Sequence, residues 1–353
     1  MVEQERDGSV IWDYSSEPTR IVDYNATIAR NMASDTAHGI LRNSRNNQWT
    51  IGAISKVTYN VNDNLKTQFG VDWRTAEIEH YREVRDLLGG EFYIKTADGF
   101  NPNQKVGLGD KIAYNFTNTV DWAGLFAQAE YKNEAFSAYG MAGASTIKYT
   151  FTDHFSPDAS GNENSTEADW IGGYQIKGGA NYNLTETLNT FANAGYVSKV
   201  PIFDGVIRDS DGVLIDNPEN EKFTSLEAGI QYLNRDETFN LKLNGYYTVW
   251  QDRAITVGIQ DAAGNDAVIS LLGMDQTHAG IEIESYWNPV NYFSLGAMAS
   301  FGNWQHTSDA TGTYTDYSEG SGQTTEYNYY VNDLKVGDAP QNANGPFRYS
   351  KAG

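Results

Sequence analysis

The sequence predicts an all-β fold, an antiparallel up-and-down transmembrane β-barrel, and three observations lead there. The first is a period of two, clearest in Phe223–Val249. Thr224, Leu226, Ala228, Ile230 and Tyr232 share one face there, and Ser225, Glu227, Gly229 and Gln231 share the other. After the polar turn Asn234-Arg235-Asp236-Glu237, Phe239, Leu241, Leu243, Tyr247 and Val249 oppose Asn240, Lys242, Asn244 and Thr248. This is the pattern of strands greased on one face and wetted on the other. The second observation is the connections: turns of about two to five residues alternate with loops of about fifteen to thirty, as in barrels with short turns at one rim and long loops at the other. The third is an aromatic near many strand ends (Trp49, Tyr59, Tyr131, Tyr149, Trp170, Tyr182, Tyr232, Trp250, Trp287, Trp304), where an interfacial girdle would place it.

Taken in order, residues 1–47 read as irregular and polar, with a weak helical pattern over Thr19–Arg30. Ile51–Tyr59 and Leu65–Trp73 alternate about the turn Asn60–Asn64. A long connection is expected over Arg82–Asp110, then strands over Lys111–Lys132 and from Phe136 to Ala144 about Asn133-Glu134. Phe151–Asp169 reads as a polar loop. Trp170–Asn183 and Thr187–Lys199 pair about Leu184-Thr185-Glu186, and the hairpin described first follows the loop Val200–Glu221. After a loop over Gly258–Asp275, Gln276–Asn288 and Asn291–Trp304 pair about Asn288-Pro289-Val290. Loop Gln305–Thr325 leads to a last strand, Glu326–Val336, and a polar tail at 338–353. The barrel portion is thus 48–337, with about eleven strands, each long enough to cross hydrocarbon in about 9–11 residues. An odd number leaves unpaired edges, so the chain reads as part of a larger barrel.

Composition narrows the function classes. The 353 residues carry a net charge of -21, which argues against nucleic acid as a partner. The chain has no cysteine, hence no disulfide, thiolate metal site or cysteine nucleophile. Mean hydropathy is -0.54 and no apolar run reaches the roughly 18 residues of a transmembrane helix, which leaves membrane strands open. Met1–Asp7 lacks the apolar segment of a signal peptide.

No enzyme motif emerges, and no cofactor is expected. Glu282 and Glu284 share a strand face like a glycosidase pair, but a place on the polar wall of the barrel accounts for them. His38, His80, His154, His278 and His306 are scattered without metal-ligand spacing. Asp209-Ser210-Asp211-Gly212 resembles the start of a calcium loop without the later bidentate glutamate, and reads as a turn. Two stretches are candidates for ligand contact from loops: His80–Gly90, with His80, Arg82 and Arg85, for which structural packing is the plainer reading, and the tyrosines Tyr314 and Tyr317, which a membrane rim explains as well.

Several segments, in order, resemble the TonB-dependent outer-membrane receptors in their Bacteroidetes form. They are Ile40–Asn47, His80–Gly90, Phe191–Tyr196 with Ser198–Phe203, Glu219–Lys222 with Leu226–Gly229, His278-Ala279-Gly280-Ile281-Glu282-Ile283-Glu284, and Leu334–Gln341. The resemblance implies a barrel of about 22 strands around an N-terminal plug. It also implies location in the bacterial outer membrane, contact with outer-membrane lipid, and uptake of a scarce ligand such as a siderophore or glycan. Energy would come through TonB-ExbB-ExbD by way of the plug and TonB box. The chain shows neither of these, so it is expected to be a later part of such a barrel. A passive porin-like channel and a secreted β-rich glycan-binding module are the alternatives.

Overall fold

The computed structural model describes residues 3–8, 10–13, 21–208, 211–260, 266–316, 323–330, 332–336 and 341–342. One sheet dominates. Its long strands, in chain order, are β1 (Glu3–Gly8), β2 (Gly39–Asn60), β3 (Leu65–Asp86), β4 (Lys111–Lys132), β5 (Phe136–Pro157), β6 (Ile171–Asn183), β7 (Leu188–Lys199), β8 (Glu221–Leu233), β9 (Phe239–Gln260), β10 (Asp266–Val290), β11 (Phe293–His306), β12 (Ala310–Asp316) and β13 (Gln323–Tyr330). Every neighbour is antiparallel and spatial order follows chain order, with β1 and β2 at one edge. β11 and β12 lie end to end against β10, the first opposite Gln276–Val290 and the second opposite Ala267–Leu272.

The two faces differ as the alternation predicts. One carries Ile51, Val57, Tyr59, Phe69, Val71, Leu125, Ile176, Leu226, Ile230, Tyr247, Ile281 and Phe301, all exposed. The cross-strand register puts Phe69 opposite Ala127, Leu226 opposite Tyr247 and Ile281 opposite Phe301, so these side chains form a continuous apolar band. Aromatic pairs border it at the turn end: Tyr131 with Phe136, Tyr232 with Phe239, and Trp287 with Phe293. Among the described residues nothing is layered over the band.

Side chains write the short turns. Asn62 Oδ1 accepts from the backbone N–H of Asn64 and Leu65, both at 2.9 Å. Asn133 Oδ1 accepts from Ala135 and Phe136 at 3.0 and 2.8 Å. Thr185 Oγ1 accepts from Leu188 at 3.0 Å, and Asn234 Oδ1 from Phe239 at 2.8 Å. Each fixes its hairpin by mimicking a backbone turn.

On the polar face, large rings lie across glycines of the neighbouring strand: Phe126 over Gly70, Tyr139 over Gly179, Phe191 over Gly229 and Tyr246 over Gly280. A Cβ at Gly229 would stand 2.5 Å from Leu243 O and 2.7 Å from the Phe191 ring, so only glycine fits beneath it.

The structure differs from the sequence reading at the loop end. Residues 1–47, expected to be irregular, contain β1, the helix α1 (Tyr24–Ser34) and the first part of β2. The helix sits later than Thr19–Arg30 because Asp23 caps it, its side chain accepting from Ala26 N–H at 2.9 Å. β3 runs on to Asp86, β5 to Pro157, with a further strand at Glu163–Glu167, and β9 and β10 pair out to Gln260 and Asp266. The segments Arg82–Asp86 and Phe151–Pro157, read as loop, are therefore ladder. The cause is visible in the side chains. Above the apolar band the outer face turns polar while the other face packs beneath loops, so the alternation fades while the hydrogen-bonded ladder continues. The outer pairs there are Arg45 with Glu83 at 2.6 Å, Lys148 with Glu167 at 2.5 Å and His154 with Glu163 at 2.9 Å. The last strand, expected over Glu326–Val336, appears as β13 followed by Leu334 and Val336 bonding back to His306 and Trp304.

Buried apolar residues collect at the loop end in three clusters. Ala37, Ile40, Val84, Val106 and Ile112 form one. Ile147, Tyr149, Phe151, Val200, Val206 and Ile207 form another, where loop 200–220 folds onto β5 and the Tyr149 hydroxyl donates to Pro201 O at 2.9 Å. Asn31, fully buried, binds the first two loops: Nδ2 donates to the carbonyls of Gly39, Leu87 and Leu88, and Oδ1 accepts from His38 N–H. In loop 87–110, Lys95 and Asp98 pair at 2.6 Å with side chains 8% and 6% exposed. Burial alone would raise the Asp98 carboxyl, but hydrogen bonds from Lys95 and from the N–H groups of Asn101 and Phe100 hold it below the usual value.

Gly229→Val should destabilise the folded sheet by about 1–3 kcal/mol in urea unfolding from detergent micelles. Gly140→Ala, at a site with nothing within 4 Å, should change it little. Asp98→Asn strands a buried ammonium at a cost of about 3–5 kcal/mol to the loop. Trypsin at neutral pH should then cut at Lys95 and Lys105 faster than in the wild type. Because the folded Asp98 carboxyl is depressed, its stabilisation is present above the unfolded carboxylate value and lost as pH falls through the folded one. Pepsin should therefore open the wild-type loop only below the usual aspartate range, and opening already at pH 5 would contradict the assignment.

Candidate functional site

The polar face is a wall of cross-strand polar pairs. Asn193 donates to Glu227 at 3.2 Å, Asn244 to Glu282 at 3.4 Å, and Lys242 Nζ to Glu284 at 3.3 Å. Glu282 and Glu284 thus sit as wall residues with neighbours on β9. An open depression of about 680 Å³ lies where small residues thin the sheet; Ala180, Ala192, Ala194, Ala228 and Gly245, all on the apolar face, are among its lining.

The structure brings only some of the candidate contacts together. His80 and Arg82 lie on strand β3, not in a loop, because the ladder continues to Asp86. They share the polar face. The His80 ring stacks on Phe116 at 4.8 Å and bonds Asn46 at 2.9 Å, while the Arg82 guanidinium lies 4.7 Å over Tyr114. Tyr114, Phe116 and Phe151 continue the aromatic row. Arg85 is exposed at the strand's end, and alternation turns it to the opposite face. Tyr314 is 7% exposed in β12, packed with Ile269, Leu271, Met274 and Ala310, so it is a core residue rather than an open loop contact. Tyr317 lies outside the described residues, as do Asp209 and Ser210 of the calcium-like run. Asp211 is engaged by Arg208 at 2.8 Å and by Val213 N–H, as a turn requires. Among the described residues no group of His, Asp and Glu is arranged to hold a metal ion.

A second polar-face cluster escaped the sequence reading. Trp250 stands opposite Gln276, and Arg253 opposite Met274, so β9 spends one more residue than β10 between these pairs. This bulge contains Asp252 at φ 57, held by its N–H to Asp275 Oδ1 at 3.0 Å and by Lys222 at 2.6 Å. The extra residue turns Arg253 onto the face of Trp250. Its guanidinium lies 4.2 Å over the indole and donates to Gln276 Oε1 at 3.2 Å. Phe223 packs on Trp250 at 4.6 Å, His278 reaches Gln276 at 3.2 Å and lies 5.9 Å from Trp304, and Trp304 Nε1 donates to Tyr246 at 2.9 Å. The signal in the sequence was Arg253 itself, a cation falling on the apolar parity of a strand.

Residues 4–352 match the family model described as TonB dependent receptor-like, beta-barrel. Solved structures agree in fold. The copper transporter OprC superposes with a TM-score of 0.56 at 15% identity, covering 82% of this chain and 46% of that one. The ferric-catecholate import receptor Fiu from E. coli, in its closed form, gives 0.53 at 12%, covering 96% and 51%. The ferric yersiniabactin uptake receptor FyuA from Yersinia pestis gives 0.51 at 11%, covering 82% and 47%. The chain therefore spans about half the length of these structures. No curated protein sequence matches it. With nearly its whole length matched to the family, the chain belongs to the TonB-dependent receptors and forms part of their β-barrel.

Proposed function

We propose that the protein containing this span is an outer-membrane receptor that takes up a scarce ligand with energy delivered through TonB. One observation carries the membrane half of the reading: a single-layer sheet leaves an apolar band exposed, and hydrocarbon is the solvent that suits it. The transport half rests on family membership and on the polar face, which in a membrane barrel looks onto the lumen. The ligand passes this inner wall below the loops, where His80 and Arg82 stand. TonB with its ExbB-ExbD complex is the energy partner, and outer-membrane lipid surrounds the band. Siderophores and chelated metals are the first ligands to try, since the similar solved structures are named for them. The porin-like and secreted alternatives have no observation in their favour: a glycan module in water would leave the band uncovered.

Placing a charge in the band should separate the faces. Phe69→Arg, at an apolar position 57% exposed, should lower stability in lipid vesicles by about 2–4 kcal/mol, whereas Gln68→Arg on the polar face should cost far less. Equal losses would sink the membrane assignment. In cells, accumulation of labelled ferric or copper chelates should require both this gene and TonB, and uptake that persists without TonB would favour a passive channel.

A further inference from the structure

We propose that the outward apolar face over β5–β9 is where a second copy of the receptor docks within the membrane, the two β7 strands crossing at Ala192 and Ala194. The proposal rests on the reading that puts the apolar band in hydrocarbon.

The relief of that face is the first observation. Two neighbouring cross-strand rows hold only alanine and glycine. Ala129, Gly140, Gly178 and Ala194 stand side by side across β4–β7. Ala138, Ala180, Ala192, Ala228 and Gly245 do the same across β5–β9. Large exposed side chains flank the rows, Ile176 on the loop side and Tyr182 and Ile230 on the turn side. From β6 to β9 the rows are the floor of the open depression of about 680 Å³. The result is an apolar trench that runs across the strands.

The second observation is the glycines. On the polar face Gly70, Gly179, Gly229 and Gly280 each lie beneath a ring of the neighbouring strand. On the outward face no side chain takes up the space. A Cβ at Gly140 would meet nothing within 4 Å, and one at Gly178 or Gly245 would meet only backbone oxygens, at 3.3 and 3.9 Å. None of these three has a positive φ. Neither packing within the chain nor backbone conformation therefore calls for glycine, a residue that weakens a strand interior and marks close approach from outside. Liquid lipid tails fit themselves to any relief and gain nothing from a missing Cβ. A second protein surface gains close van der Waals contact from it.

The third is direction. A row of hydrogen-bonded neighbours runs at right angles to its strands. Strands of a membrane barrel tilt by about 35–45°, so strands that face one another across two side-by-side barrels cross at about 70–90°. A strand of the second copy therefore lies nearly along the trench, whereas an upright lipid tail would cross it at roughly 50°. With the two-fold axis beside Ala192 and Ala194, each β7 passes over the other's small residues, and the contact is the same patch on both copies. Five strands about 4.8 Å apart and a band about 25 Å tall give a face of about 600 Å² per copy. Two such faces exceed the roughly 1,000 Å² of buried surface that a specific interface needs.

The test is to extract the full-length receptor from outer membranes in a lipid-encircling polymer and to count copies per particle by mass photometry. Wild-type particles should hold two copies. Gly140→Leu fills the trench at a site where the chain itself has room, and should lower the two-copy fraction about tenfold or more. Its unheated mobility on a gel should remain that of the folded barrel. Val71→Trp, on the outward face of β3 beyond the trench, should leave two copies. In intact outer membranes, and with no other cysteine in the receptor, copper-phenanthroline should link Ala194→Cys to its own copy and leave Val71→Cys unlinked. Wild-type particles with one copy overturn the proposal, as does a two-copy fraction that Gly140→Leu leaves unchanged. Equal linking at positions 194 and 71, or linking of Ala194→Cys to a different protein, overturns it too. Failure of the membrane reading would show in the Phe69→Arg and Gln68→Arg pair; a receptor that passes that test but holds one copy per particle loses this inference alone.

Discussion

A single layer of sheet cannot bury its own side chains, and everything else in this molecule is arranged around that constraint. With no second layer among the described residues over the band Ile51–Tyr59, Phe69–Trp73, Leu226–Tyr232, the usual oil-in, water-out solution is unavailable. The apolar side chains need an apolar solvent, and the strands must satisfy every backbone group sideways through their neighbours. Long, in-register, antiparallel strands joined by tight Asn- and Thr-fixed turns are the form this takes. Core packing of the ordinary kind is pushed to the loop end, where loops fold back to make small clusters of their own.

What was legible in the sequence tracks this constraint. Wherever one face must be greasy and the other wet, the period of two is plain, and the hairpins of Ile51–Trp73, Trp170–Lys199 and Phe223–Val249 could be drawn from residues alone. The turn residues were equally readable, because Asn62, Asn133 and Asn234 act locally. Legibility stopped where the band stopped. From Ile78 to Asp86, and again beyond Phe151, both faces meet water or loops, and a strand with Arg, Glu and His on either side looks like a loop until its ladder is seen. That is why His80 and Arg82 were assigned to a connection, and why Tyr314, in a segment thick with Ser, Thr and Gly, gave no sign of being core.

Arg253 failed to be noticed for a different reason. A bulge shifts parity without changing composition, so the alternation argument assigns its residue to the wrong face. The same device that hides the side chain from the sequence gives it its place in the structure: an ion pair to Lys222 and one backbone bond to Asp275 hold Asp252 in a conformation few residues adopt. Buried polar residues elsewhere work similarly. Asn31, Thr27 and the Lys95–Asp98 pair tie the loop end together through buried polar contacts, beside the apolar clusters there.

The rings laid over Gly70, Gly179, Gly229 and Gly280 bear on what can fit inside. A phenyl group standing upright on a wall narrows a passage by several ångströms; one lying flat in the space a missing Cβ leaves adds little more than its own thickness. In a closed barrel the clear bore at this level would therefore be set by the number and tilt of the strands rather than by which large residues line them. Replacing one flat ring by another would leave the passage as wide, whereas filling a glycine would lift the ring off the wall and into the path.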